Sequence, residues 1–260
     1  MFPLKDNIPT DRPAVITMLL IAINVIVYFA AQRGGILDAP DDGFIVNWGV
    51  IPYELWNFGR ECELDGSGAQ ILCEGQQGVS GEVDAQPPAW VTPFSSFFLH
   101  GSVLHLAGNM LFLWIFGNNI EDSMGRVKFV LFYVIGGLAA LAAQVVIDPN
   151  SPVPMIGASG AVAGVLGAYA VLYPRARVVT VIFIVIIFTI IELPAVLMLG
   201  LWFAQQIALG ATDLTGPAGE GGGVAYFAHI GGFAAGALLI KLFATNIKTV
   251  PPRAPVGSMA

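Results

Sequence analysis

Residues 157–172 read Gly-Ala-Ser-Gly-Ala-Val-Ala-Gly-Val-Leu-Gly-Ala-Tyr-Ala-Val-Leu, a run without a charge in which Gly160, Gly164 and Gly167 alternate with Ala161, Ala163 and Ala168. The run lies within an uncharged tract, Met155 to Tyr173, close to the ~20 residues that carry a helix across a bilayer. Side chains this small give a helix little lateral bulk, so its neighbours can approach until backbones touch. Ser159 stands near the start of the run.

Working outward, similar tracts occur at Pro13 to Ala31, Phe97 to Ile120, Phe129 to Ile147 and Val224 to Ile240. A longer tract, Val178 to Gly210, is broken only by Glu192 and Pro194. Its first half, VVTVIFIVIIFTII, is β-branched, and its second half, LPAVLMLGLWFAQQIALG, has an ordinary helical composition. The tract is expected to supply one helix from about Pro194 onward, with the preceding run packed at the inner face; two short spans are the alternative. The expected fold class is an all-α polytopic membrane bundle of six spans. Composition agrees: 56% of residues are hydrophobic and 11% charged, with a mean hydropathy of +0.75, against about half and a quarter in soluble domains.

Cytoplasmic loops of membrane proteins carry the excess of lysine and arginine. A cytoplasmic N-terminus puts Lys5, Arg12, Arg126, Lys128, Arg175, Arg177, Lys241, Lys248 and Arg253 inside, and leaves Arg33 and Arg60 outside. Both termini are therefore expected in the cytoplasm. The expected organisation is a cytoplasmic segment 1–12, a membrane domain 13–245 with an acidic external loop at about 32–96, and a cytoplasmic tail 246–260. The net charge of −7 comes largely from that loop, with Asp38, Asp41, Asp42, Glu54, Glu61, Glu63, Asp65, Glu74, Glu82 and Asp84. Such a balance argues against nucleic acid as a partner. The N-terminus has neither a signal-peptide cleavage site nor the Arg-rich character of a transit peptide, so the first span is expected in the mature protein. Cys62 and Cys73 both fall in the external loop, where they form a disulfide if oxidised or remain two free thiols.

Polar side chains are costly in hydrocarbon, so those that persist in spans serve function or helix association. In the second, fourth and sixth spans these are His100, Ser102, His105, Asn109, Ser159 and His229, which include every histidine in the chain. All three spans enter from the outer side in the assigned topology, placing His105, Asn109, Ser159 and His229 in the outer half of the membrane. His105 and Asn109, four residues apart, share a helix face; His100 points elsewhere and reads as a hydrogen-bonding residue at the loop–helix junction. His229, Gly232 and Gly236 also share a face, the last two in the GxxxG spacing that lets helices touch. Serine becomes a nucleophile only when a base takes its proton, and His229 can be that base. The oxyanion of an acyl-transfer intermediate needs aimed donors. Asn109 can supply an amide N–H, His105 an imidazole N–H, and Ser159 its own backbone N–H.

These residues carry a resemblance to a known family. His100-x4-His105-x3-Asn109, then MLFLWIFGNNIEDSMGR with Glu121 and Gly125, then Gly157-Ala-Ser159-Gly160 and Ala228-His229-Ile-Gly-Gly resemble the rhomboid intramembrane proteases from Trp90 to Leu239. The resemblance implies a six-helix rhomboid-type bundle and a Ser159–His229 dyad without an orienting aspartate. It also implies oxyanion donors at His105 and Asn109, motif support from His100, Gly157, Gly160, Gly232 and Gly236, and single-span membrane proteins as substrates. It implies neither cofactor nor metal. The expected location is a bacterial plasma membrane, with the site open to the external face. Two positions depart from the pattern. Trp90-Val91 stands where some members have Trp-Arg, and Ala163 where some have an aromatic that stacks on the histidine. What orients His229 is thereby open, with Tyr226 and Phe227 as neighbouring candidates. The competing readings are a catalytically silent rhomboid-like protein that binds membrane clients, and a small transporter, for which only Glu192 approaches the required intramembrane charge.

Overall fold

The computed structural model describes residues 2–68, 70–76, 87–184, 187–215 and 224–251. Glu82, Asp84 and Arg253, counted in the charge argument, lie outside them. In chain order the elements are β1 (Phe2–Asp6), α1 (Val15–Ile26, extended by a π-helical turn to Ala31), α2 (Asp42–Trp48), α3 (Pro52–Trp56), β2 (Cys62–Leu64), β3 (Ile71–Cys73) and α4 (Thr92–Ser95). They continue with α5 (Val103–Phe112), a π-helical turn, α6 (Asn118–Met124), α7 (Arg126–Ile147), α8 (Ser159–Leu172), β4 (Arg177–Ile184), β5 (Ile187–Pro194), α9 (Ala195–Thr215) and α10 (Tyr226–Phe243).

Among the described residues, four helices are long and apolar enough to cross a membrane: Val103–Met124, Arg126–Ile147, Ala195–Leu214 and Tyr226–Phe243. Two shorter apolar helices, Val15–Ala31 and Ser159–Leu172, pack with them. The short α8 is the centre of the bundle, and every residue from Ala161 to Tyr169 is buried. Its glycines explain how. A Cβ on Gly164 would touch the Gly136 Cα of α7 at 3.5 Å, and one on Gly167 would collide with the Phe233 carbonyl of α10. From the other side, a Cβ on Gly232 or Gly236 would run into the carbonyl oxygens of Gly160 or Gly164. Both residue sets of the small-residue pattern therefore lie in one seam.

The fold is mostly helical rather than all-α, which corrects the expected class. The β-branched run ahead of α9 forms the β4–β5 hairpin, paired antiparallel from Arg177↔Pro194 to Ile184↔Ile187. β1 adds a third strand, with Phe2↔Val181 and Asp6↔Val178. Side chains branched at Cβ lose rotamer freedom in a helix and fit a pleated surface, which is why this run leaves the helical pattern and α9 begins only at Ala195. A second sheet pairs β2 with β3 and contains the Cys62–Cys73 disulfide.

Polar contacts fix the end of the bundle where β1 lies. The buried Glu121 carboxylate accepts from the backbone N–H groups of Ile16 and Thr17, at 3.0 and 2.8 Å, and from the Thr17 hydroxyl at 2.8 Å. It thus caps α1, whose N-cap Ala14 has no side chain to do so. Asp6 accepts from Asn119 Nδ2 at 2.7 Å and from the Tyr169 hydroxyl. Lys248 reaches Asp11 and Asp122. The first and last described segments therefore meet at one end of α8, opposite Ser159.

Candidate active site

Ser159 is the first residue of α8. Its backbone N–H is among those that an α-helix leaves without an intrahelical partner, and Ala158 before it supplies no side-chain cap. The connection leading into the helix is held from outside. Val50 and Met155 exchange backbone hydrogen bonds of 3.2 and 2.7 Å, and Gly157 N–H donates to Ser96 O at 2.9 Å. Gly157 has φ +115°, a conformation that side chains disfavour. It also has no room for one, because a Cβ there would lie 2.9 Å from both His105 Cε1 and His105 Nε2 and 3.6 Å from Asn109 Nδ2. The bare glycine lets these two side chains close on the backbone just ahead of the serine.

α5 begins at Val103 rather than Phe97, because Ser102 is its N-cap and accepts from His105 N–H at 3.1 Å. His105 and Asn109 accordingly sit in the first two turns and project together. His105 Nδ1 accepts from Gly101 N–H at 3.4 Å. A neutral imidazole then carries its proton on Nε2, the atom that faces Gly157. Asn109 is buried, and its Nδ2 has no hydrogen-bond partner. An unpaired buried amide costs about 1–3 kcal/mol, so two donors face the entry to α8 at some expense to stability.

His229 is the fourth residue of α10. Gln144 of α7 caps this helix from outside, its Oε1 accepting from Phe227 and Ala228 N–H at 3.1 and 3.3 Å. Ser159 precedes Gly160, and His229 lies within one turn of Gly232, so the Gly160–Gly232 backbone contact puts the two residues' helix turns near one level of the bundle. Beside Ser159 is a cavity of about 30 Å³ lined in part by Ser96, Gly157, Gly160, Ala225 and Ala228. The His229 ring is held from α9. Its Nδ1 lies 2.7 Å from Gln206 Oε1, and the Trp202 ring centroid lies 5.8 Å away at 36°.

The structure therefore gathers Ser159, His229, His105, Asn109, Gly157, Gly160 and Gly232 at one end of α8, with Gly236 two turns deeper than His229 in the same seam. His100 is fully buried beside them. Its ring packs edge-on to His105 at 5.0 Å, and both its ring nitrogens lack partners. Only its backbone fits the junction role, exchanging bonds of 3.0 and 2.9 Å with the Gln32 side chain. The side chains the structure places against the His229 ring are Gln206 and Trp202 of the antiparallel α9; no contact of the ring with Tyr226 or Phe227 is seen among the described residues. Gln206 stands outside the second, fourth and sixth spans that carry the polar candidates of the sequence. A carboxamide in the apolar run LWFAQQIALG, one turn after a tryptophan, is the signal that points to it. Among the described residues, no cluster of His, Cys, Asp or Glu is arranged to hold a metal ion.

Comparison with known proteins identifies the family. Residues 87–246 match the Rhomboid domain, and the chain belongs to the rhomboid family. It is 31% identical over 157 residues to the mitochondrial Rhomboid protein 1 of Saccharomyces cerevisiae, covering 57% of this chain and 40% of that protein. It is 34% identical over 150 residues to RHOMBOID-like protein 4 of Arabidopsis thaliana, covering 55% of this chain and 31% of the relative. Over 79 residues it is 39% identical to the rhomboid protease GluP of Bacillus subtilis, covering 30% of this chain and 15% of GluP. The chain thus spans less than half the length of each of these relatives. It is a multi-pass integral membrane protein by family and by its apolar helices.

Proposed function

We propose that this chain is an intramembrane serine endopeptidase that cuts single-span membrane proteins within or beside their transmembrane segment. The observation that carries the reading is the turn at Gly157, which brings the Nε2 of His105 and the unpaired Nδ2 of Asn109 against the backbone immediately before Ser159. A helix-packing serine has no use for two such donors.

In this reading His229 takes the proton of Ser159 Oγ through Nε2 as Oγ attacks the scissile carbonyl. The tetrahedral oxyanion is stabilised by the Ser159 backbone N–H, Asn109 Nδ2–H and His105 Nε2–H. Imidazolium then gives its proton to the leaving amine, and the acyl-enzyme remains. A water molecule, for which the cavity of about 30 Å³ beside Ser159 is large enough, is deprotonated by His229 and releases the acid product.

The six apolar helices are read as six spans with both termini in the cytoplasm, on the strength of the lysine and arginine distribution. The serine then opens to the external face of what we take to be a bacterial plasma membrane.

The test compares wild type with Ser159→Ala for cleavage of a model single-span substrate and for labelling by a fluorophosphonate. Wild type is expected to cleave and label, and the variant to do neither while retaining its melting temperature. Equal behaviour of the two folded proteins would leave a client-binding rhomboid-like protein as the reading.

A further inference from the structure

The Ser159–His229 reading leaves a base with no acidic partner, yet the ring is not free. Gln206 is buried, at 6% exposure, and its Oε1 lies 2.7 Å from His229 Nδ1. We propose that Gln206 is a positioning residue for this base, a neutral carboxamide standing where soluble serine proteases place a carboxylate.

Three observations support it. First, a second contact favours this orientation of the carboxamide, Gln206 Nε2 donating back to Trp202 O, one turn earlier on α9, at 3.5 Å. The oxygen is thereby turned to the imidazole. An amide oxygen only accepts, so the His229 proton sits on Nδ1 and the lone pair of Nε2 is left for Ser159. Secondly, the register that brings the two together is set by other contacts. Phe203 of α9 stacks on Phe233 of α10 with centroids 4.4 Å apart, and a Cβ on Gly210 would sit 3.3 Å from Tyr226 Cβ. Gln206 falls between Phe203 and Gly210, and His229 between Phe233 and Tyr226, as antiparallel helices require. Thirdly, Trp202 covers the ring at 36° and packs on Phe233 at 6.1 Å. It limits the tilt of the imidazole while Gln206 limits its rotation.

The consequence concerns α9. The nucleophile stands on α8 and the base on α10, yet the tautomer of the base is set from a third helix. A displacement of α9 away from α10 would therefore part Gln206 from His229.

The inference rests on the dyad reading, and the experiment separates the two. Wild type, Ser159→Ala, Gln206→Met and Gln206→Glu are compared for kcat and KM on a model substrate, and by ¹⁵N NMR of histidine-labelled protein, which has only three imidazoles to resolve. Gln206→Met keeps the size and removes the acceptor. It should lower kcat on the order of tenfold or more at nearly constant KM, less than the ~10⁴-fold that tautomer loss costs when the orienting group is charged. It should also abolish the Nδ1–H signal of His229. Gln206→Glu, which retains an acceptor, should restore that signal and most of kcat. A Gln206→Met enzyme within twofold of wild type, or one slowed with the His229 tautomer unchanged, overturns the proposal. If Ser159→Ala cleaves as wild type does, the protease reading falls, and the tautomer of the wild-type ring still decides whether Gln206 holds it. Should Gln206→Met fail to fold, the wild-type tautomer and the Gln206→Glu rates decide in its place.

Discussion

The two ends of α8 bury different kinds of polar group. At the end carrying Ser159, Asn109 Nδ2 and both ring nitrogens of His100 have no partner, and the Ser159 N–H lies in an uncapped first turn. At the other end Asn7 Nδ2, Asn119 Oδ1 and Asp122 Oδ1 also lack partners, but Glu121 accepts three hydrogen bonds, Asp6 accepts from Asn119 and Tyr169, and Asp122 accepts from Asp11 N–H at 2.9 Å. A buried donor without a partner weakens a fold, whereas a carboxylate with several donors ties elements together. The contrast separates an end whose buried polar side chains are neutral and unpaired from an end whose carboxylates hold segments in place. It also explains how so short a helix tolerates the first end, since α8 is anchored by the second and by the glycine seam.

Substitution at each end should therefore have a different readout, and the largest effect falls at the serine end. Asn109→Ala is expected to lower kcat about 10²-fold, the usual cost of one oxyanion donor. Its melting temperature should not fall, because the amide it removes has no partner. A loss of stability with unchanged turnover would break the contrast. At the other end Glu121→Gln replaces one acceptor oxygen with a donor that faces Thr17. It should cost about 2 kcal/mol in stability, read as a lower melting temperature in detergent, with kcat/KM of the folded fraction unchanged.

The smallest expected effect sharpens the comparison through pH. Burial raises the Asp6 carboxyl from its ordinary 3.8 to about 6, against the opposing hydrogen bonds from Tyr169 and Asn119. The folded state then holds a proton that the unfolded state releases between about pH 4 and pH 6. The stability Asp6 contributes is present below that window and is lost as pH rises through 6. Asp6→Asn should remove about 1 kcal/mol of this dependence, seen as a smaller difference between melting temperatures at pH 4.5 and pH 7 than in wild type. An unchanged difference would mean that Asp6 titrates as in water.

Much of the site was legible before any coordinates, because membrane helices admit few polar residues and each stands out. Ser159, His229, His105 and Asn109 stand out that way as candidates, and the glycines at 160, 164, 232 and 236 gave the seam that joins two of their helices. The disulfide partners were legible for a simpler reason, since the chain has only two cysteines. Less visible was the β4–β5 hairpin. Its hydrophobicity resembles that of a span, and only the β-branching of residues 178–191 signals a strand. The start of α5 was blurred too, because apolar residues continue upstream of the Ser102 cap into a region that is not helical.

The sequence by itself determined that the chain lives in lipid and that serine and histidine stand on small-residue helices. It also determined that an amide and a second imidazole share a face, because lipid makes every exception to apolarity informative and helix periodicity fixes what one helix presents. Only the tertiary structure decided what faces His229. Gln206 lies 23 residues away on another helix, and its approach depends on how far α9 and α10 slide past one another. The Phe203–Phe233 stack and the Gly210 contact set that slide. Such a register is a property of two packed surfaces, and neither helix carries it in its own periodicity.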